Sequence, residues 1–135
     1  MSQENVEIVK RVLDAFNRRD FVVASELTTG DYEFLSPMFD SQGSSIKGRE
    51  SVAAYHRETF DTWEEYRLVA DEYRDLGDSV LVLGCVEGRG KGSGVPVTAP
   101  WAAIYELRDG RLFRARPFLD HDEALRAADL TEESG

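Results

Sequence analysis

Few side chains in this sequence are equipped for chemistry, and their spacing removes most of the familiar arrangements. His56 and His121 are the only imidazoles and Cys85 the only thiol, so neither an intramolecular disulfide nor a thiolate metal site can be assembled from one chain. No Ser or Cys nucleophile motif lies near either histidine. The run His121-Asp122-Glu123 offers ligand types, but consecutive residues do not converge on one ion, and it reads as a solvated helix start. His56 follows Tyr55 in a helical stretch, where neighbouring positions point about 100° apart, so one of the two is expected to face inward. An inward His56 would carry protons near neutral pH. Asp120 precedes Glu123, Ala124, Leu125 and Ala128, the pattern of a helix N-cap with a capping-box partner.

The glycine spacing Gly90, Gly92, Gly94 is no dinucleotide fingerprint, because the second gap is missing and no helix follows, and there is no Walker-type run. It reads as a flexible hairpin, with Arg89 and Lys91 adding local positive charge. Arg114 and Arg116 share one face of a strand, either to hold an anion or to cover apolar surface with their stems. No metal or organic cofactor is expected.

The elements that must position these groups follow from hydrophobic period. Val6, Val9, Leu13 and Phe16 recur at helical spacing and predict an amphipathic first helix ending near Asn17. Asp20 caps a short second helix carrying Phe21, Ala24 and Leu27, which stops at Thr28-Thr29-Gly30. A strand is expected over 32–36, closed by Pro37, then a polar loop over 40–45. Gly48 opens a third helix with Val52, Tyr55, Thr59 and Phe60. Strands follow at 66–74, 79–87, 98–107 and 112–119, the last two joined by Asp109-Gly110, the strongest hairpin signal present. Pro100 and Pro117 fall inside strands, where a missing donor demands an edge or a bulge, so the sheet should be strongly bent.

The chain has 135 residues, 41% hydrophobic and 31% charged, which predicts one α+β domain over 4–130 with a tail at 131–135. Sixteen basic against 26 acidic residues leave a net charge of −10, which repels polyphosphates and anionic lipid. Nucleic acid and membrane are therefore not expected partners, and the polar start predicts a cytoplasmic protein. The strand over 80–86 is apolar on both faces, Val80, Val82 and Val86 on one and Leu81, Leu83 and Cys85 on the other. If helices cover one face only, the second predicts a homodimer formed sheet to sheet.

The order helix, helix, strand, helix, meander carries with it Asn17-Arg18-Arg19-Asp20, Asp31-Tyr32, Gly48-Arg49-Glu50, Gly77-Asp78, Arg108-Asp109-Gly110 and Phe118-Leu119-Asp120. Together they resemble the SnoaL-like branch of the nuclear transport factor 2-like superfamily. The resemblance implies a cone-shaped NTF2-like (cystatin-like) fold, with N-terminal helices packed on a strongly bent antiparallel sheet. That fold hosts isomerases, polyketide cyclases, epoxide hydrolases, dehydratases and binding modules, so it settles little about chemistry. Its ketosteroid isomerases use an Asp base and an oxyanion hole of a Tyr and a protonated Asp. The resemblance puts those positions at Ser36, Val12 and Ala102. All three groups are missing, which argues against steroid isomerisation by that route.

If Ser36 and Ala102 inherit inward positions, strand alternation sends Tyr32, Phe34 and Ile104 inward as well. Phe16, His56 and Trp101 complete an aromatic, mostly apolar pocket for a small apolar molecule, unless these side chains simply fill the core. The resemblance to cyclases makes Asp120 the implied proton-abstracting base, with Tyr55 or Ser36 orienting an oxygen, against its plain reading as a helix cap. Two functions stay open: a cofactor-independent isomerase, cyclase or hydrolase, and a non-catalytic binding or dimerisation module.

Overall fold

The computed structural model describes residues 2–35 and 45–134, with the elements α1 (Ser2–Asn17), α2 (Phe21–Glu26), β1 (Thr28–Phe34), β2 (Ile46–Lys47), α3 (Arg49–Thr62), β3 (Trp63–Asp75), β4 (Ser79–Gly90), β5 (Pro96–Arg108), β6 (Arg111–Phe118) and α4 (His121–Ser134). The α+β arrangement is the expected one. One sheet runs β2-β1-β6-β5-β4-β3. Its pairs are antiparallel except β1 with β6, which are parallel.

α1 buries Val6, Val9, Val12 and Leu13 against the sheet, the stripe its period dictates. Its end is pinned by Asn17, whose side chain both donates to the Leu68 carbonyl and accepts from the Leu68 amide at 2.9 Å. In this way a single amide side chain pairs with β3 as another strand would. Asp20 caps α2 by accepting from the Val23 amide at 3.2 Å, as expected. The Thr28-Thr29-Gly30 run does not merely stop α2; it begins β1, because Thr28 pairs with Leu112 of β6. β-branched threonines favour that extended conformation once a partner strand is beside them. α4 continues to Ser134, into the stretch expected as a tail.

The prolines sit where a strand outruns its neighbour. Pro100 pairs with Cys85 of β4, but the β5–β6 ladder begins only at Ala102. Pro117 pairs with Ala103 of β5, past the last β1 partner of β6 at Ala115. Each missing N–H therefore faces a locally unpaired side. Register irregularities lie between Trp63 and Glu65, Ala70 and Glu72, and Glu106 and Leu107, where extra residues increase twist.

The second apolar face of β4 is covered over Leu81 and Leu83, which corrects part of the premise of the dimer argument. Val80 and Val82 join the core beneath α1, while Leu81, Leu83, Ala102 and Ile104 pack on Ala124 and Ala128 of α4. Leu81 is 0% exposed and Leu83 is 7% exposed. Of the apolar face expected to seek a second copy, Leu81 and Leu83 are taken up by the chain's own last helix, while Cys85 stays half-buried beyond it.

Candidate functional site

On the face opposite α4, the sheet and the first and third helices enclose a cavity of about 190 Å³. β5 contributes Trp101, Ala103 and Tyr105, and β6 contributes Ala115 and Pro117. Tyr66 and Leu68 come from β3, and Tyr32 and Phe34 from β1. Val12, Leu13 and Phe16 of α1 and Tyr55, His56 and Thr59 of α3 close the other side, with Leu119 after β6. No Asp, Glu, Lys or Arg lines it among the described residues.

Aromatic packing sets the shape of this space. Phe16 meets the His56 ring edge-on at 4.7 Å, Phe34 meets it at 4.8 Å, and Phe34 lies 5.4 Å from Tyr55. Behind them the ring of Phe60, 1% exposed, packs on Phe16, Phe21 and Tyr66. Tyr55 and His56 both reach the cavity, contrary to the expectation of one. Side chains 100° apart straddle the inward direction of a helix when neither points straight at it.

Burial pushes the His56 imidazole down to about 4, so it is neutral at pH 7. Burial also lifts the phenols. That of Tyr32 rises through burial alone, and Tyr105 goes well above its ordinary value through burial and the nearby phenols of Tyr32, Tyr73 and Tyr66. Tyr66 rises through burial and then through Tyr55. The described residues of the cavity wall thus carry no charge at pH 7.

The buried imidazole gives a testable pH dependence. Its folded pKa lies below the ordinary value of about 6.5, so between about pH 6.5 and pH 4 the unfolded chain binds the extra proton and stability falls as pH falls. The expected loss in urea unfolding between pH 7 and pH 4.5 is about 2 to 3 kcal/mol. His56→Gln should flatten that slope. The carboxyl of Glu33 is held low by Ser45 and Arg114, and that of Asp31 by Thr29 and Arg108. Their contributions are lost only as pH falls below about 4.5, beneath most of the imidazole window.

Of the residues singled out from sequence, Phe16, Tyr32, Phe34, Tyr55, His56 and Trp101 are brought together around the cavity. Ala102 and Ile104 are not: they face α4, and their neighbours Ala103 and Tyr105 line the cavity instead. The strand was set one residue out of phase, and a one-residue shift sends every side chain to the other face. Taking Trp101 as the inward reference, rather than Ala102, would have found Ala103 and Tyr105. The missing isomerase acid stays missing at either phase, and Val12, at the position of the isomerase Tyr, lines the cavity as an apolar group. Ser36 lies outside the described residues.

Asp120 is exposed and does not line this cavity. Its Oδ1 accepts from the Asp122 amide at 2.8 Å and its carbonyl accepts from the Ala124 amide, the work of a cap on α4. His121 Nε2 lies 2.7 Å from the Gly84 carbonyl and 3.0 Å from that of Trp101, so it donates to strand backbone. Arg114 is taken up in ion pairs with Glu33 at 3.1 Å and Glu106 at 3.2 Å, and Arg116 is exposed. Among the described residues no three His, Cys, Asp or Glu side chains group as metal ligands. No helix among them is long and apolar enough to cross a membrane.

The SnoaL-like domain family matches residues 9–115. No curated protein matches the chain. Among solved structures, a candidate SnoaL-like polyketide cyclase from Jannaschia sp. CCS1 is 24% identical at a TM-score of 0.76, covering 94% of this chain and 92% of that one. A protein of ketosteroid isomerase-like fold from Catenulispora acidiphila DSM 44928, crystallised in complex with trimethylamine, is 19% identical at 0.74, covering 91% and 92%. TerC, co-crystallised with polyporic acid, is 21% identical at 0.72, covering 93% and 98%. At these identities the solved structures establish the shared fold, and the family match runs from within α1 to within β6, taking in α2, α3 and the strands β1 to β5. The chain belongs to the SnoaL-like domain family.

Proposed function

We propose that this protein binds a compact, uncharged, ring-containing molecule in the cavity between its helices and its sheet. The observation that carries this reading is the cavity wall, where the described residues supply seven aromatic side chains, a neutral imidazole and no charged group. Such a lining rewards a flat apolar guest and offers no counter-ion to a charged one. Size narrows the class. An apolar cavity of about 150 Å³ holds benzene, and drug-sized ligands fill roughly 300 Å³ or more. At about 190 Å³ this one suits a single substituted ring, smaller than the polycyclic carbonyls that a cyclase reading would bring. Relatives of the same fold held trimethylamine and polyporic acid in their crystals, so the fold accommodates small organic guests of differing size.

If the domain is catalytic, the geometry brings His56 rather than Asp120 to the guest, but burial makes its imidazole a weak base instead of the near-neutral proton carrier expected from sequence. His56 lines the cavity, whereas Asp120 is exposed and committed to α4. A hydrolase would also need a base to hold water, and no carboxylate lines the cavity among the described residues. A homodimer through the sheet would have to use what α4 leaves uncovered near Cys85, Thr98 and Pro100, and its mass on elution decides that point.

The test is direct binding. Ethylbenzene or a similar single-ring probe should quench Trp101 fluorescence in a Trp63→Phe background and stabilise the fold by about 2.7 kcal/mol at a hundredfold excess over Kd. Ala103→Phe, which places a ring in the cavity, should abolish both effects while the protein stays folded. Undiminished binding by that variant would place the guest elsewhere.

A further inference from the structure

Two phenols in the cavity wall have no hydrogen-bond partner among the described residues. Tyr32 is 6% and Tyr105 7% exposed, and both line the cavity. Among the described residues no hydrogen bond ends on either phenol oxygen. Among the described residues, the buried side-chain polar atoms that have neither a partner nor contact with free space are Arg49 Nε and Arg89 Nε. The phenol oxygens of Tyr32 and Tyr105 are not among them, so they open on free space. Both side chains line the cavity, and Tyr32 also borders a smaller hollow of about 40 Å³ beside it.

The register explains how the two come to share one region. Tyr105 of β5 pairs with Ala115 of β6, and Ala115 pairs with Phe34 of β1. Tyr32 stands two residues before Phe34 on the same face of β1. Ala115 is the small side chain in the middle of that row and leaves room between the rings. A buried hydroxyl left unsatisfied costs about 1–3 kcal/mol, so two in one cavity wall call for an acceptor on the guest. Among the described residues no cation lines the cavity to balance an anionic guest.

Resting on the binding reading above, we propose that Tyr32 and Tyr105 form the oxygen-recognising end of the cavity, donating to a carbonyl oxygen carried by the bound ring. They are specificity-determining residues: they select ring molecules bearing an acceptor over bare hydrocarbons of the same shape. A guest that cannot accept leaves these donors unpaired and so binds more weakly than one of the same shape that can.

Acetophenone and ethylbenzene separate this inference from the reading it rests on, since they match in shape and differ in the oxygen. In the unaltered protein acetophenone should bind more tightly. In the double variant Tyr32→Phe, Tyr105→Phe, acetophenone should weaken about thirtyfold, from roughly two neutral hydrogen bonds, while ethylbenzene stays within about twofold. Retained ethylbenzene binding also shows that the variant is folded with its cavity intact. Equal losses for both probes, or no loss for acetophenone, would overturn the role of the phenols and leave the cavity reading standing. Failure of the unaltered protein to bind either probe would overturn both.

Discussion

Gly84→Ala is expected to destabilise the protein by about 3 kcal/mol or more in urea unfolding. A Cβ built at Gly84 would lie 1.8 Å from the Val69 carbonyl oxygen and 2.9 Å from its carbon, distances no real contact survives. The obstacle is backbone, so no rotamer change relieves it. The strand cannot easily retreat either: Gly84 pairs with Ala70 of β3 and Trp101 of β5, and its carbonyl takes the His121 hydrogen bond. Relief would shift Trp101 and disturb the cavity, so altered Trp101 emission should accompany the loss. Gly30→Ala is the control. Nothing lies within 4 Å of its Cβ, and its stability should change by less than about 1 kcal/mol. Near-native stability for Gly84→Ala would mean that β3 and β4 do not approach as described.

Ala124→Asp is the second large effect. Ala124 is fully buried between α4 and the sheet, in the cluster with Leu81, Leu83 and Ile104. A carboxylate there has no partner, and an uncompensated buried charge costs about 3–5 kcal/mol. The alternative open to the chain is to release α4, which would uncover Leu81, Leu83 and Ile104 and produce concentration-dependent association. Either result supports α4 as the cover of that face. A stable, monomeric Ala124→Asp protein would contradict it. Because the cavity lies on the other face, a released α4 should leave ring binding weakened less than stability.

Much of this architecture is legible in the sequence because its signals are local. The helical stripe of α1, the Asp20 cap and the Asp109-Gly110 turn each depend on a few adjacent residues, and each stands where its period or turn chemistry put it. The prolines likewise marked interrupted pairing before any neighbour strand was known. The inward phase of β5 was not legible, because 101–105 is apolar throughout and its alternation carries no contrast between faces.

What the sequence alone determined is the class of the domain, its family resemblance and the loss of the three isomerase groups, since these rest on residue identity and order. The tertiary structure decided which side chains share the cavity. It set Trp101, Ala103 and Tyr105 inward and turned Ala102 and Ile104 to α4. It also left Asp120 outside, and spent α4 on the face that would otherwise have sought a second copy. The reason is physical: a strand apolar on both faces has no preferred side of its own, and only the helices that pack against it determine which side becomes the site.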